Sequence, residues 1–276
     1  MMPYTQAEVQ NLSSQTFAYI LVREEGHTLT IRLNRPEKKN AMSPTMVREY
    51  AYAMSYAHHS PHIWAVVFEA EGSVWCAGAD LKAMRGQEEP NNSSIPASEG
   101  DQPILMGELF WHIHKPVIAK VHAPVFAGGF LLICGATYVV ASPEARFSLP
   151  EVKRGIFPFQ VLASLLQVMP ARRALDLCLR AATLSAEEAE RYGLVTHLCP
   201  ADQLDTQVAG LLEELSQNSP SAIRLGLKAY DQMRSLGQEQ LHGYLAQMLQ
   251  ETIQTADAQE GLAAFAEKRP PQWKGY

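Results

Sequence analysis

The chain has 276 residues, of which 47% are hydrophobic and 19% charged, as in an ordinary globular protein with a large core. Its net charge of -6 argues against a nucleic-acid-binding protein that relies on a basic face, although a local basic patch for a phosphate remains open. No apolar run approaches the roughly 18 residues of a membrane span, and the N-terminus lacks the pattern of a signal peptide, so we expect a cytoplasmic protein with no membrane partner.

The N-terminal part of the chain predicts a hairpin, a helix and a buried strand. Residues 17–24 and 27–36 are typical of two strands that meet at a turn at Glu25-Gly26. A helix opens with Ser43 as its N-cap and Pro44 at its first helical position, and it runs to about His59. The continuous apolar run at 62–70 indicates a strand buried on both faces, as in parallel sheets.

The middle of the chain predicts a loop followed by further alternation of helix and strand. Residues 85–103 are rich in Pro, Gly, Ser, Asn and acids, which favours a mobile loop, such as a lid, over a domain linker. After it we expect a helix over about 104–114 and a strand over 116–123. A second helix at 128–134 and a second strand at 137–141 follow.

Helix dominates from Phe157 onward. Ser185 and Glu188 form the pattern of a capping box, and Gly193 ends that helix before a short strand. Residues 201–268 predict two or three amphipathic helices. The expected fold class is therefore α/β, with a core over residues 1–200 and a helical region over 201–276.

The cysteines and histidines do not predict a metal site. The four cysteines form no C-x-x-C pair, and most of them lie in apolar runs, which favours buried free thiols. His58, His59 and His62 have helical spacing, but an exposed polar helix face explains that spacing better than a metal does. Dinucleotide-binding, P-loop and serine-hydrolase motifs do not occur.

Two segments combine small residues with a strand-to-helix step. They are "VWCAGAD" at 74–80 and "VFAGGFL" at 125–131. Small residues at such a step let a ligand come within hydrogen-bonding distance of backbone N–H groups. Two such N–H groups facing each other form an oxyanion hole. For either segment alone, tight helix–strand packing is the favoured interpretation.

Taken together, several motifs resemble one family. "NRPEKKNAMS", "CAGADLKAM", "KPVIAKVHAPVFAGGF", "ARFSLPEVKRGIFP" and "LSAEEAERYGLV" follow the order and spacing of the crotonase (enoyl-CoA hydratase/isomerase) superfamily. The resemblance runs from about Phe17 to Trp273. It implies the ClpP/crotonase-type β-β-α spiral, with two roughly perpendicular sheets. It also implies a homotrimer or dimer of trimers, in which residues 201–276 serve trimerisation or the acyl pocket.

The resemblance further implies an acyl-CoA substrate, with coenzyme A as part of that substrate and no separate cofactor. The family's oxyanion hole falls on the N–H groups of Ala79 and Gly128, which would hold the thioester carbonyl and stabilise an enolate. The implied substrate- and CoA-binding residues are Arg35, Lys38, Ala77, Asp80, Leu81, Lys82, Gly129 and Leu131. For Arg35, Lys38 and the neighbouring Lys39, a solvated surface charge is an equal alternative.

One position departs from the family's hydratases. Those enzymes carry two catalytic glutamates, whose positions fall here on Leu131 and Glu151. A leucine cannot hold water or take a proton, whereas one carboxylate is enough to move a proton between two carbons. The sequence therefore predicts a 3-enoyl-CoA to 2-enoyl-CoA isomerase with Glu151 as its catalytic base. Without the surrounding motifs, Glu151 after Pro150 would be interpreted as a helix N-terminal acid.

Other functions stay open at this point. One is a 2-enoyl-CoA hydratase in which His112, His114 or Glu108 supplies a second proton carrier. Another is an acyl-CoA decarboxylase or hydrolase, because the same hole serves any enolate or tetrahedral oxyanion. The third is a non-catalytic acyl-CoA binder in which Leu131 marks lost activity. The side chains do not indicate the acyl chain length or its branching.

Overall fold

Strands and helices alternate along the chain up to about residue 200. The computed structural model describes residues 2–97 and 104–276. Its strands are β1 (Ile20–Glu25), β2 (Thr28–Leu33), β3 (Ala65–Ala70), β4 (Val117–Val121), β5 (Val125–Phe126), β6 (Tyr138–Ala141), β7 (Arg146–Ser148), β8 (Thr183–Ser185) and β9 (His197–Leu198). Its α-helices are α1 (Pro44–His59), α2 (Met106–His112), α3 (Phe130–Gly135), α4 (Phe159–Leu165), α5 (Ala171–Arg180), α6 (Ala186–Arg191), α7 (Leu204–Ser216), α8 (Pro220–Met233), α9 (Gln238–Ile253) and α10 (Ala256–Glu267).

The strands form two sheets. The larger has the order β1-β2-β3-β4-β6-β9, and the smaller has the order β5-β7-β8. β1 and β2 make the predicted antiparallel hairpin, with Gly26 in the left-handed region at φ +56° in the turn. From β2 onward the large sheet is parallel, and β5 pairs with β7 in parallel as well. The fold is therefore the expected α/β arrangement of two sheets with helices.

The core is divided by the large sheet. Phe68 of β3 joins the main apolar cluster, which also holds Tyr50 of α1, Phe130 of α3 and Phe147 of β7. Val67, the preceding residue of β3, packs instead in a smaller cluster with α7. Successive strand residues point to opposite faces, so β3 is buried on both sides, as its apolar run predicted.

Local capping signals place several helix boundaries. Ser43 caps α1, because its side chain accepts a hydrogen bond from the Met46 N–H. Ser185 and Glu188 form the predicted capping box of α6. The C-terminal region has four helices where two or three were predicted. The reason is that Ser219 and Thr255 each cap a new helix, α8 and α10, and so divide the region further.

Part of the predicted 85–103 loop is anchored. The Thr16 N–H donates to Ser94 Oγ at 2.9 Å, and the Ser94 N–H donates to Thr16 O at 2.9 Å. Ile95 is buried, although the composition suggested that the loop had almost nothing to bury. Ser94 and Ile95 are therefore anchored to the protein, and the mobility of the loop stays a prediction. The remainder of the predicted lid, residues 98–103, lies outside the described residues.

Two further expectations concern burial and membranes. All four cysteines are free and buried, as their apolar surroundings predicted. Within the described ranges, none of the helices combines the length and apolar character needed to cross a bilayer. The division of the chain at residue 200 stays a prediction.

Candidate active site

Three chain segments run side by side where the predicted site residues lie. Cys76 forms a parallel bridge with Val125 of β5, and Val125 pairs in parallel with Phe147 of β7. A few residues further along the three segments lie Ala79, Gly128 and Glu151, respectively. Because parallel strands run in one direction, this register leads the three segments to the same end of the row, where we expect the three predicted catalytic positions to lie.

The Ala79 and Gly128 N–H groups lie close together. A Cβ built on Gly128 would lie 3.6 Å from the Ala79 nitrogen. Within the described part of the chain, neither N–H donates a hydrogen bond to another residue. Two unused donors this close can bind one oxygen between them, which is what an oxyanion hole requires.

Gly78 makes this arrangement possible. It lies at φ +88°, and a Cβ there would come within 2.5 Å of the Ala127 Cβ and 3.0 Å of the Gly128 nitrogen. Ala127 also has a left-handed backbone, at φ +51°. The Met42 N–H donates to Gly78 O at 2.8 Å, which holds this strand end from its other side. The predicted hole therefore needs a close approach of two backbones that a side chain at position 78 would prevent.

Arg35 and Asp80 form a buried ion pair beside the hole. Arg35 Nη1 lies 2.8 Å from Asp80 Oδ2, and its guanidinium stacks over the Tyr19 ring. The Arg35 side chain is only 4% exposed. We expected it near the CoA phosphates, but this placement commits the guanidinium to contacts within the protein. Direct contact with a phosphate therefore finds no support here.

Asp80 acts on the backbone as well. Its carboxylate accepts hydrogen bonds from the N–H groups of Lys82 and Ala83. Burial opposes its ionisation, but the Ala83 N–H and the Arg35 guanidinium together hold the pKa of Asp80 below its ordinary value. The carboxylate thus fixes the turn that follows Ala79. Asp80 therefore positions the backbone, and its side chain is not free to contact a substrate.

Asn40 is a positioning residue that the motif analysis did not single out. It is buried, and its Nδ2 donates to Glu71 O at 2.7 Å and to Val74 O at 2.9 Å. Its Oδ1 accepts from the Arg35 N–H at 2.8 Å. Asn40 also lies at φ +51°, a conformation that Asn tolerates better than most residues. The sequence signal that could have pointed to this role was an asparagine directly after two lysines in "NRPEKKN", since Asn tolerates this conformation.

The other predicted CoA-binding residues border the hole. Leu81 and Lys82 are exposed next to Ala79, as a binding surface for a large substrate needs. Lys38 is exposed and lies 3.1 Å from Glu89 Oε1. The Ala77 N–H is already used, since it donates to Lys39 O at 3.0 Å. These positions stay predictions for contacts with the substrate.

Glu151 is a half-buried carboxylate with one free oxygen. It lies in a short 3-10 helix, Pro150–Arg154, directly after β7 and Leu149. Its Oε2 is buried and has no hydrogen-bond partner among the described residues. Burial raises the pKa of Glu151 above its ordinary value. Such a carboxylate is suited to take up a proton from a bound molecule.

Cys178 of α5 is a neighbour of Glu151 that the sequence analysis did not place at the site. Burial and the negative charge of Glu151 raise the pKa of this thiol to about 11. It therefore stays a neutral, apolar neighbour at ordinary pH and helps keep the carboxylate desolvated.

Gly129 and Leu131 follow Gly128 into α3 and are buried. A Cβ on Gly129 would lie 3.0 Å from both Cys76 Cβ and Val125 Cγ1, so this glycine serves helix–strand packing rather than contact with a substrate. Leu131 is 3% exposed and packs near Gly107 of α2. An apolar side chain thus occupies the position where a second carboxylate would lie.

The three candidates for a second proton carrier face elsewhere. Glu108 is exposed on α2. His112 Nδ1 and His114 Nε2 lie 3.4 and 3.3 Å from Asp231 Oδ2 on α8. Within the described part of the chain, none of the three forms a hydrogen bond or ion pair with Glu151.

Comparison with known proteins gives a consistent result. The family model described as enoyl-CoA hydratase/isomerase matches residues 23–276. Enoyl-CoA hydratase EchA19 of Mycobacterium tuberculosis is 33% identical over 258 residues, covering 92% of this chain and 96% of that protein. Mevalonyl-coenzyme A hydratase sidH of Aspergillus fumigatus is 33% identical over 252 residues, covering 90% and 92%.

Solved structures agree with this. The crystal structure of an enoyl-CoA hydratase from Mycobacterium tuberculosis H37Rv has a TM-score of 0.82 and 30% identity, and the match covers 94% of this chain and all of that one. An enoyl-CoA hydratase from Bacillus anthracis also gives a TM-score of 0.82, at 27% identity, with coverage of 94% and 100%. The likeness extends over the core and the C-terminal helices.

Proposed function

The chain belongs to the enoyl-CoA hydratase/isomerase family, and we propose that within this family it is an isomerase that converts 3-enoyl-CoA to 2-enoyl-CoA. The observation that carries the proposal is the pairing of Glu151, with its buried free oxygen, and Leu131, which is buried and apolar. An isomerase needs one proton acceptor and no water, and this site supplies that combination.

The proposed reaction uses three groups of the chain. The thioester oxygen of the substrate accepts hydrogen bonds from the Ala79 and Gly128 N–H groups. Glu151 removes a proton from the α-carbon, and the electron pair moves into a dienolate whose negative oxygen stays in the hole. Glu151 then returns the proton to the γ-carbon, which leaves the double bond between the α- and β-carbons. Each oxyanion-hole donor contributes about 10²–10³ in rate.

The buried surroundings of Glu151 suit this proton transfer. A raised pKa brings the carboxyl closer to the pH at which it works, so it both accepts and returns a proton readily. Leu131 and Cys178 are apolar neighbours of the site. They favour return of the proton to carbon over attack by water, because they offer water no hydrogen-bond partner.

A 2-enoyl-CoA hydratase is the second candidate, because the relatives named above carry hydratase names. In that case a group other than Leu131 would have to orient the water. Glu108, His112 and His114 would need to turn toward the substrate from their present positions. Decarboxylation, thioester hydrolysis and binding without turnover use the same hole. The assay below separates binding without turnover from isomerisation, whereas the other two reactions are recognised by their products, carbon dioxide and free CoA thiol.

The deciding experiment is a paired assay of wild type and Glu151→Gln on 3-hexenoyl-CoA and crotonyl-CoA. We expect turnover of 3-hexenoyl-CoA alone, lost in Glu151→Gln because an amide cannot take the proton. Hydration of crotonyl-CoA by wild type would establish the second candidate. Turnover of 3-hexenoyl-CoA by Glu151→Gln at the wild-type rate would refute the role of Glu151. Binding of both substrates without turnover would exclude both the isomerase and the hydratase.

Leu131→Glu extends the test. It places a second carboxylate where the family's hydratases carry one, so we expect a gain of crotonyl-CoA hydration relative to wild type. The variant should also be less stable, since the new carboxylate replaces a side chain that is only 3% exposed. Loss of isomerisation without any hydration would show that the position does not face the reacting carbons.

We further propose that the protein forms a homotrimer or a dimer of trimers. Helices α9 and α10 carry large exposed apolar side chains: Leu249 at 58%, Leu262 at 63% and Phe265 at 86%. Apolar side chains grouped on one region indicate a surface covered by another subunit. Light scattering coupled to size-exclusion chromatography would give the mass, and a monomer would contradict the proposal.

A further inference from the structure

Two histidines and one aspartate meet where α2 ends against α8. We name His112, His114 and Asp231 the His-Asp cluster. His112 Nδ1 lies 3.4 Å and His114 Nε2 lies 3.3 Å from the same oxygen, Asp231 Oδ2. The three ligand atoms all lie within 4.8 Å of one another, and all three residues are partly buried. Imidazole nitrogen and carboxylate oxygen are common ligands of Zn²⁺.

The backbone is shaped to form this cluster. On a continuous helix, residues two apart point to nearly opposite sides. Here α2 ends at His112, and His114 adopts the left-handed conformation at φ +51°, which turns its ring back toward Asp231. The chain is then fixed, because Lys115 Nζ donates to the carbonyls of Ala57 and Ser60. A strained non-glycine residue thus brings both imidazoles to one carboxylate.

The distances fit a metal as well as they fit hydrogen bonds. Ligand bonds to Zn²⁺ of about 2.0–2.1 Å at tetrahedral angles place neighbouring ligand atoms about 3.3–3.4 Å apart. Both contacts to Asp231 have this length, and the contact of His114 is also a long hydrogen bond. Since the three ligand atoms lie within 4.8 Å of one another, all three can reach one ion once the two rings turn toward it.

A cavity of about 340 Å³ beside the cluster leaves space for a fourth ligand. His114 and Asp231 both line it. Two cationic side chains line it as well, but each has its own partner. Arg234 stacks over the Trp111 ring at 4.5 Å, and Lys115 binds backbone carbonyls. The fourth position is therefore open to water, as in zinc sites with three protein ligands.

We propose that the His-Asp cluster binds one Zn²⁺ ion per chain, with water as the fourth ligand. The ion would link α8 directly to the end of α2. Since α2 packs near Leu131 through Gly107, the metal would stabilise the wall of the core next to the proposed active site. The sequence predicted no metal here, because Asp231 is distant in sequence from the two histidines.

The test uses untagged full-length protein freed of metal with a chelator. Isothermal titration with Zn²⁺ is run on wild type, Asp231→Asn and His112→Gln, and on His242→Ala as a control for an exposed histidine on α9. We expect one Zn²⁺ per wild-type chain. Loss of an outer-shell partner weakens binding about 10–100-fold, so loss of a ligand should weaken it at least about 100-fold. His242→Ala should bind as wild type does.

Two further measurements separate a metal site from a structural cluster. Co²⁺ in place of Zn²⁺ should give the visible absorption of a tetrahedral ion in wild type and not in Asp231→Asn. Zn²⁺ should raise the melting temperature of wild type and His242→Ala only, because binding to the folded state stabilises it. Equal Zn²⁺ affinity of wild type, Asp231→Asn and His112→Gln would overturn the proposal, as would no binding to folded wild type.

Discussion

Replacing Gly128 by alanine should abolish most activity without unfolding the protein. The new methyl group would lie 3.6 Å from the Ala79 nitrogen. A thioester oxygen bound to that N–H would lie about 2.9 Å from the nitrogen. We therefore expect the methyl group to crowd the oxygen between the two donors and to weaken its hydrogen bonds.

The expected magnitude follows from the lost hydrogen bonds. Loss of one oxyanion-hole donor lowers the rate by about 10²–10³, equal to about 2.7–4 kcal/mol of transition-state stabilisation. The backbone should tolerate the change, because Gly128 is not among the glycines at positive φ. The nearest atom to the new methyl is Met42 Cε at 3.2 Å, the end of a flexible side chain. We therefore expect the free energy of unfolding to change by at most about 1 kcal/mol.

Two other glycines provide matched controls. At Gly129, a methyl would lie 3.0 Å from buried Cys76 and Val125 atoms, so Gly129→Ala should cost about 1–3 kcal/mol of stability through overpacking. At Gly210 in α7 nothing lies within 4 Å, so Gly210→Ala should keep activity and stabilise the protein by up to about 1 kcal/mol. The kcat/KM for 3-hexenoyl-CoA and urea unfolding would be measured for all three variants. Wild-type kcat/KM in Gly128→Ala would refute the assigned hole.

Three further substitutions test the groups around the hole by urea unfolding. Glu151→Gln should be more stable than wild type near pH 7 and lose that advantage toward pH 4. The raised pKa of Glu151 means that its ionised carboxylate lowers the free energy of unfolding at pH 7. This cost is absent at lower pH, where the carboxyl is protonated in both the folded and the unfolded state. A stability difference between the two proteins that stays constant from pH 7 to pH 4 would contradict this reasoning. Asn40→Ala should cost at least about 2 kcal/mol, because three backbone groups lose their partner; a neutral result would show that water replaces the amide. Asp80→Ala should cost about 3–5 kcal/mol, because buried Arg35 loses its carboxylate partner and keeps only the Ala41 carbonyl and the Tyr19 ring; a cost under 1 kcal/mol would show that Arg35 reaches solvent instead.

Local signals predicted the elements that depend on neighbouring residues. The hairpin at Gly26, the N-cap Ser43 and the capping box of Ser185 with Glu188 each rest on contacts within a few residues. The short strands β7 and β8 were not predicted, and β5 was indicated only by the strand-to-helix step at 125–131. Two or three residues carry no periodicity, and such strands exist only because distant segments pair with them.

The resemblance placed Ala79, Gly128 and Glu151, and their catalytic roles stay predictions, whereas the structure pairs the segments that carry them. The contacts that support these segments were not predicted. The role of Arg35 could not be read from the sequence, because its burial depends on a partner at Asp80 and a ring at Tyr19. Charge alone suggests a surface residue, whereas the fold turns it inward.

The parallel row of Cys76, Val125 and Phe147 also has a consequence for the order of folding. The three segments are far apart in the sequence. The two long stretches of chain between them must therefore form closed loops before Ala79, Gly128 and Glu151 can come together. Pairing between segments so distant in sequence is slow compared with helix formation. During refolding, helical circular dichroism should therefore recover before enzymatic activity, and activity marks the moment at which the last of these segments has docked.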